Sequence, residues 1–492
     1  MQFVDEGRTA DEGAGLPAPR RGLENWPWWT VSWWAIGAVL GAGRLSDNSF
    51  FTHLATGRLI LDGTVPHTDS YTFTATGRPW VVQSWLASAV DASIERAVGL
   101  GGVRLFQGLC VGVTLALLWV LTAHADAVLS RFVVMIGSGL VGFIWWNERP
   151  QMLAFAFIAA VLVGAGRRVS VYWSIPLFLI WVNWHGSWLL GLVVLAGTVF
   201  AREVSAPRPD SRWTRSIIVA TTSTMPALAA CVIGAVVSPY GTALLMFPFR
   251  LAAGNPNIKY LGEWYRPDLV SVDTLATIAL AIIATIGVIR SRRWGWIPLM
   301  LVLGALSVTA VRNLPIAAIA LVPMAALGVP SLGTLRAGRS PRWQTQIPVI
   351  AVIVVVVSVL IALTPPHIAT EGYPVAVVEE FATRGWIATD TERLIATDTV
   401  GNYLELRDGA AASVFVDDRA EVFPTEVYAD HADLVWDRGG WRAVLDRYQA
   451  TLVIWAEDDE LSGHLTTDAA WREVLRSGGF VGFCRIGRAA GC

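Results

Sequence analysis

Asp47, Asn48, His53, Arg58, Asp62, His67, Asp69, Arg78, Trp80, Gln83 and Trp85 crowd into residues 44 to 98, a polar stretch between two strongly apolar ones. A carboxylate can take a proton, a guanidinium can hold a phosphate, and an indole can stack on a flat or apolar face. Similar types recur at the ends of later apolar segments. Asn147, Glu148, Arg149, Pro150 and Gln151 form one such group, and Asn183, Trp184, His185 and Gly186 another. Ser238, Pro239, Tyr240 and Gly241 follow, then Arg250, Lys259, Glu263, Trp264 and Arg266, then Arg312 with Asn313. Together these types offer a candidate general base and several cations.

Each residue also has a plain structural reading. Arg149 and Arg312 suit anchoring to lipid headgroups, and His185 suits a hydrogen bond in a tight helical hairpin. Pro239-Tyr240-Gly241 reads as a turn at a helix end, and Glu263 as a surface carboxylate. Trp80, Trp85, Trp184 and Trp264 fit interface anchoring as well as stacking. Asp62, Asp69, Asp91 and Glu95 read as turn, cap or helix-face residues. Asp47 stands apart because it follows an apolar segment directly, so its carboxylate would meet the lipid interface and could face a bundle.

The elements that position these residues follow from composition. Hydrophobic residues make up 54% of the chain, charged residues only 15%, and there are 24 tryptophans. That balance is outside the range of soluble domains and fits a polytopic membrane protein with indoles at its interfaces. The net charge of -2 says nothing about nucleic acid, and with no basic tail or aromatic-basic stripe to argue for it, nucleic acid is not an expected partner. A hydrocarbon core of about 30 Å needs roughly 17 to 25 apolar residues. About eleven segments approach this length, near residues 28–43, 101–123, 132–146, 152–165, 172–183, 188–200, 217–237, 274–289, 297–311, 314–326 and 347–364.

Arginines mark every second connection: Arg20 and Arg21, Arg167 and Arg168, then Arg202, Arg208, Arg212 and Arg215. Arg290, Arg292 and Arg293 follow, then Arg336, Arg339 and Arg342. The positive-inside rule makes these loops cytoplasmic. It puts the tail of residues 1–26 inside, and residues 44–98 and the carboxyl terminus outside. A cleaved signal peptide ending near Gly41-Ala42-Gly43 is the alternative for the first segment. Residues 206–211 read as a simple linker.

The 44–98 loop is too long to be a plain connection. Its pattern predicts a helix over 53–61, a turn over 63–66, an extended piece over 71–76 and an amphipathic helix over 83–97. Past Thr364 the composition turns polar. Strand-like runs at 413–416, 451–455 and 481–486 alternate with helix-like ones at 375–384, 440–448 and 469–477. Residues 365–492 therefore read as a small extracytoplasmic α/β domain. Cys484 and Cys492 within it could pair or stay free thiols.

An acidic residue after the first span, a long outer loop with interfacial helices, many later spans and a trailing outer domain resemble the membrane-embedded GT-C glycosyltransferases. A poorly characterised bacterial subfamily fits more narrowly. Its likeness rests on Asp47, His53-Leu54-Ala55-Thr56-Gly57-Arg58, Pro66, Asp69 to Thr74 and Trp80 to Leu86. Arg149-Pro150, Asn183-Trp184-His185-Gly186, Pro239-Tyr240-Gly241, Glu263-Trp264 and Arg312-Asn313 extend it. Gly401-Asn402-Tyr403-Leu404 and Val416-Asp417-Asp418-Arg419 carry it into the tail, so it covers about residues 40 to 485. One departure is Asp47-Asn48 in place of the Asp-Glu or Asp-x-Asp pair common in GT-C enzymes, which leaves the role of a divalent metal open.

The resemblance implies a GT-C-like transmembrane domain over 27–364 in the bacterial plasma membrane. It implies an inverting transferase that takes a sugar from a polyprenyl-phosphate donor to a glycan, lipid or protein acceptor of the cell envelope. Asp47 would be the base, and Arg149, His185, Arg250, Lys259 and Arg312 would hold the donor phosphate. Substrate contacts would fall to Asn48, His53, Trp80, Gln83, Trp85, Asn183, Tyr240, Glu263, Trp264, Asp417, Asp418 and Arg419. No residue is assigned to a metal. The competing reading is a non-catalytic lipid- or glycan-binding protein or a transporter of envelope biogenesis.

Overall fold

Apolar segments satisfy their backbone hydrogen bonds internally when helical, and this chain is mostly helix. The computed structural model describes residues 27–167, 170–206, 212–332, 342–389 and 391–492. The tail of residues 1–26, with Arg20 and Arg21, lies outside the described residues, as do Arg168, Arg208, Arg336, Arg339 and most of the 206–211 linker.

The first part runs α1 (Pro27–Gly41), α2 (Asn48–Leu61), α3 (Trp85–Val98), α4 (Leu100–Leu121), α5 (Val128–Phe143), α6 (Gln151–Gly166) and α7 (Ser174–Trp184). It continues with α8 (Trp188–Val204), α9 (Arg212–Val237), α10 (Thr242–Gly254), α11 (Val272–Ser291), α12 (Ile297–Thr309), α13 (Leu314–Gly328) and α14 (Arg342–Leu363). Each expected apolar segment falls on one of these helices. Among the described residues, however, only four helices are long and apolar enough to cross a membrane: 100–124, 213–237, 272–291 and 311–328. Ile233, Val236, Leu301, Val308 and Leu360 leave apolar faces exposed on the bundle. Exposed apolar surface of this extent marks contact with lipid or protein.

One helix of the bundle escaped the sequence reading. Arg250 was expected in the loop after the seventh apolar segment, yet residues 242–254 form α10. The arginine at 250 and the proline at 248 hide an otherwise apolar run, TALLMFPFRLAAG.

Close approach of α1 to α4 fixes where the 44–98 loop begins, called the outer loop after its expected side of the membrane. A Cβ on Gly37 would meet Gly112 Cα at 2.6 Å, and one on Gly108 would meet the Ala38 carbonyl at 2.5 Å. Glycines four apart on both helices let the backbones touch, as in membrane helix pairs. The same approach occurs between α2 and α3, where a Cβ on Gly57 would lie 2.0 Å from the Ser88 carbonyl.

Asp91 on α3 is buried, and one of its oxygens has no protein partner. Burial pushes its carboxyl up to about 8, against an ordinary value near 4. The folded state therefore holds this proton more tightly than the unfolded one. Stability should fall by about 1.4 kcal/mol per unit as pH rises from roughly 4 to 8, and then level off. Thermal melting of Asp91→Asn in detergent should lose that slope, and identical slopes for both proteins would refute it.

The tail comprises α15 (Val375–Thr383), β1 (Leu394–Ile395), α16 (Asp398–Asp408), α17 (Thr425–Val435), α18 (Trp441–Arg447), β2 (Leu452–Ala456), α19 (Glu460–Thr467), β3 (Trp471–Ser477) and β4 (Phe480–Arg485). The sheet order is β1-β2-β4-β3, with β1 parallel to β2 and the other pairs antiparallel. This is the small α/β layer the sequence predicted, with α16, α17 and α19 added to it and with two corrections. Residues 469–477 were expected to be helical, yet 471–477 form β3. Gly478 and Gly479, both at positive φ, turn β3 back onto β4, and this Gly-Gly hairpin overrides the helical pattern. Residues 413–416 were expected to be a strand, yet Val414 forms an isolated parallel bridge to Thr72 of the outer loop and does not join the sheet. Cys484 and Cys492 are disulfide-bonded.

Tail and outer loop form one body. Phe73 N–H donates to the Val414 carbonyl at 3.1 Å, and Val414 N–H to the Tyr71 carbonyl at 2.8 Å. Arg78 donates to the Val422 carbonyl, and Arg58 to the Leu406 carbonyl. The loop between α10 and α11 joins them, since the Asn257 side chain donates to the carbonyls of Ala420 and Phe423.

Candidate functional site

Asp47 caps α2, accepting the Ser49 N–H at 3.0 Å. Both its oxygens also accept from Arg149 Nε, at 2.8 and 2.9 Å, and Oδ2 accepts from Asn147 at 2.8 Å. Burial raises this carboxyl above its ordinary value, while Arg149 pulls it back. The neighbouring Glu148 accepts the backbone N–H groups of Ser46 and Asp47, both at 3.2 Å. The chain leaving α1 is thereby tied to the turn between α5 and α6.

From Asp47 a charged chain runs across the site. Arg149 Nη1 donates to one Glu263 oxygen at 3.1 Å, and Arg312 Nη1 to the other at 2.8 Å. Arg312 also lies over the Trp264 ring, 4.6 Å from its centre. Four separate segments thus meet in one alternating row of charges.

Beside this row is a polar cavity of about 150 Å³. Its walls come from α2 (Ser49, Thr52, His53), the outer loop (Trp80, Gln83, Ser84), Arg149, His185, Glu263, Trp264, Arg312 and the tail (Asp418, Arg419, Glu421). Gln83, Gln151, His185, Phe247, Leu251, Trp264 and Arg312 also border a second, apolar cavity of about 500 Å³. Leu189 and Leu190 of α8, Phe247 and Leu251 of α10, Leu306 of α12 and Ile316 of α13 line that chamber.

Ser187 places its N–H 3.2 Å and its hydroxyl 2.8 Å from His185 Nδ1, an arrangement that favours the lone pair on Nδ1 and the proton on Nε2. Burial, then Arg312 and His53, lower the pKa of His185 to about 3, which keeps it neutral near pH 7. Burial likewise lowers His53 to about 4, against the pull of Asp418. His53 Nδ1 lies 3.1 Å from the Ser88 hydroxyl.

The tail contributes through Asp417-Asp418-Arg419. Asp418 borders the cavity and bonds the Ser49 hydroxyl, and its N–H donates to Asn402 at 3.3 Å. Arg419 is buried and donates to Asp69 at 2.6 Å and to both oxygens of Asp417. It lies over Trp80 at 4.2 Å and Tyr71 at 5.0 Å. Glu421, raised to about 7 by burial, completes this wall.

The predicted residues divide accordingly. His53, Trp80, Gln83, Arg149, His185, Glu263, Trp264, Arg312, Asp418 and Arg419 come together on the cavity. Asp47 and Asp417 stand behind it, bonded to Arg149 and Arg419. Asn48 opens α2 outside the lining. Trp85 donates to Asn183, whose amide in turn donates to the carbonyls of Leu179 and Gly234, a structural arrangement. Tyr240 donates to the Pro66 carbonyl. Arg250 and Lys259 are exposed and border neither cavity.

Ser49, Thr52, Ser84 and Glu421 escaped the sequence reading because small hydroxyls and a lone carboxylate carry no spacing signal. Among the described residues, Asp437, Glu460 and His464 form the one group of metal-ligand types, with ligand atoms within 4.8 Å, and none borders the cavity. The chain matches no protein-family model and no curated protein.

Proposed function

We propose that the chain is an inverting glycosyltransferase of GT-C type, acting on the outer face of a bacterial plasma membrane. It would move a sugar from a polyprenyl-phosphate donor to a cell-envelope acceptor. The supporting observation is the junction of two cavities, one small and polar, one large and apolar, with Arg312 and Trp264 in the wall they share. An amphipathic ligand with an anion between a polar head and an apolar tail matches that junction. The reading takes about eleven spans with the amino terminus inside.

In this reading a carboxylate takes the acceptor hydroxyl proton as its oxygen attacks the anomeric carbon. The bond from that carbon to the phosphate oxygen breaks on the opposite face, which inverts the centre. Arg149, Arg312 and His185 Nε2–H stabilise the charge that develops on the departing phosphate. The sequence reading gave the base to Asp47. With the Asp47 carboxylate taken up by Arg149, Asn147 and Ser49, Asp418 suits the role better and Asp47 positions Arg149.

The test is a lipid profile of cells lacking the gene. A polyprenyl-phosphate sugar should accumulate, and its envelope product should disappear. An unchanged profile would refute the transferase.

A further inference from the structure

The two arginines best suited to an anion already hold one. Glu263 offers one oxygen to Arg149 and the other to Arg312, at 3.1 and 2.8 Å, which is how two guanidiniums grip a bound oxyanion. Glu263 belongs to an isolated 3₁₀ turn, Gly262–Trp264, with extended backbone at Leu261 and Tyr265 on either side. A Cβ on Gly262 would meet nothing within 4 Å, so little packs against the start of this turn.

Other donors in the same walls stay unserved. Gln151 Nε2 and Trp264 Nε1 are buried without a protein partner, and both residues border both cavities. Arg419 Nη1 is likewise unpartnered, in the roof of the polar cavity. Buried donors left unpaired are costly. Their place in the lining of the polar cavity that Glu263 also borders points to a ligand richer in acceptors than one carboxylate.

We infer that Glu263 is a stand-in for the donor phosphate: the incoming phosphodiester displaces its carboxylate from Arg149 and Arg312 and also accepts from Trp264 and Gln151. The exchange replaces one negative charge with another, so the row from Asp47 to Arg312 keeps its balance. As Trp264 sits in the wall common to both cavities, movement of its turn joins the polar cavity to the apolar chamber. This inference rests on the donor assignment above and adds that Glu263 competes with the donor.

The test is binding of a synthetic polyprenyl methyl phosphate, a phosphodiester with the single negative charge of the donor whatever its sugar, to the full-length protein in detergent. Glu263→Gln keeps the shape, removes the charge and should bind about tenfold more tightly than wild type. Equal or weaker binding would mean that Glu263 only buttresses the arginines and would overturn the inference. Trp264→Phe, which removes Nε1–H and keeps an aromatic, though smaller, ring beneath Arg312, provides a second variant and should bind several-fold more weakly; unchanged affinity counts against the displacement. If wild type binds and Arg312→Gln does not, while Glu263→Gln gains nothing, the displacement fails and the donor assignment stands. If neither wild type nor Glu263→Gln binds, both fall.

Discussion

Replacing Arg419 by methionine should lower stability by about 3–5 kcal/mol, the usual loss when one partner of a buried ion pair is removed. The guanidinium serves Asp69 at 2.6 Å and Asp417 through two nitrogens, with Glu405 at 3.9 Å. All three carboxylates are buried. Burial, reinforced by Asp417, already holds Glu405 well above the usual carboxylate range. Methionine would keep the contact with Trp80 and Tyr71 but leave Asp69 and Asp417 without a countercharge. Because Asp69 lies in the outer loop and Asp417 in the tail, the loss should loosen the junction between them. Thermal melting in detergent, with limited proteolysis of the tail, would show it. A melt within about 1 kcal/mol of wild type would show that the backbone bridges around Val414 hold the junction alone.

Asp418→Asn should lower turnover by about 10²- to 10⁴-fold, the range attributed to a positioned general base, while leaving the fold intact. The amide still accepts from the Ser49 hydroxyl, so the local hydrogen bond survives and only the proton acceptor is lost. Asp47→Asn should behave differently. Its carboxylate is the α2 cap and the main grip on Arg149, so its loss should reduce stability along with transfer. The two variants separate when kcat and melting temperature are read together. Full activity in Asp418→Asn would remove it as the base and return Asp47 to that role.

Local pattern was enough for much of this protein. Each long apolar segment became a helix because a chain without polar side chains must satisfy its backbone within itself. The helices of the outer loop fell close to their expected positions, since α2 and α3 carry helical periodicity in their own residues. Where a local signal was ambiguous the reading failed: residues 471–477 formed a strand through pairing with β4, and 242–254 formed a helix despite Pro248 and Arg250.

Residue type by itself identified Asp47, Arg149, His185, Glu263, Arg312 and the Asp417-Asp418-Arg419 run as the groups with chemistry in them. Which of them face a cavity was decided by contacts across hundreds of residues. Arg149 could reach both Asp47 and Glu263 only once the α5–α6 turn was placed between α2 and the loop before α11. Asp418 reached Ser49, 369 residues away, only once the tail closed over the outer loop. Lys259 and Arg250 had the right charge and ended outside, because a side chain's charge says nothing about the direction in which its helix or turn will face. Sequence fixed what each residue could do; the packing of loop, bundle and tail, through backbone bridges and a buried arginine, decided which of them do it together.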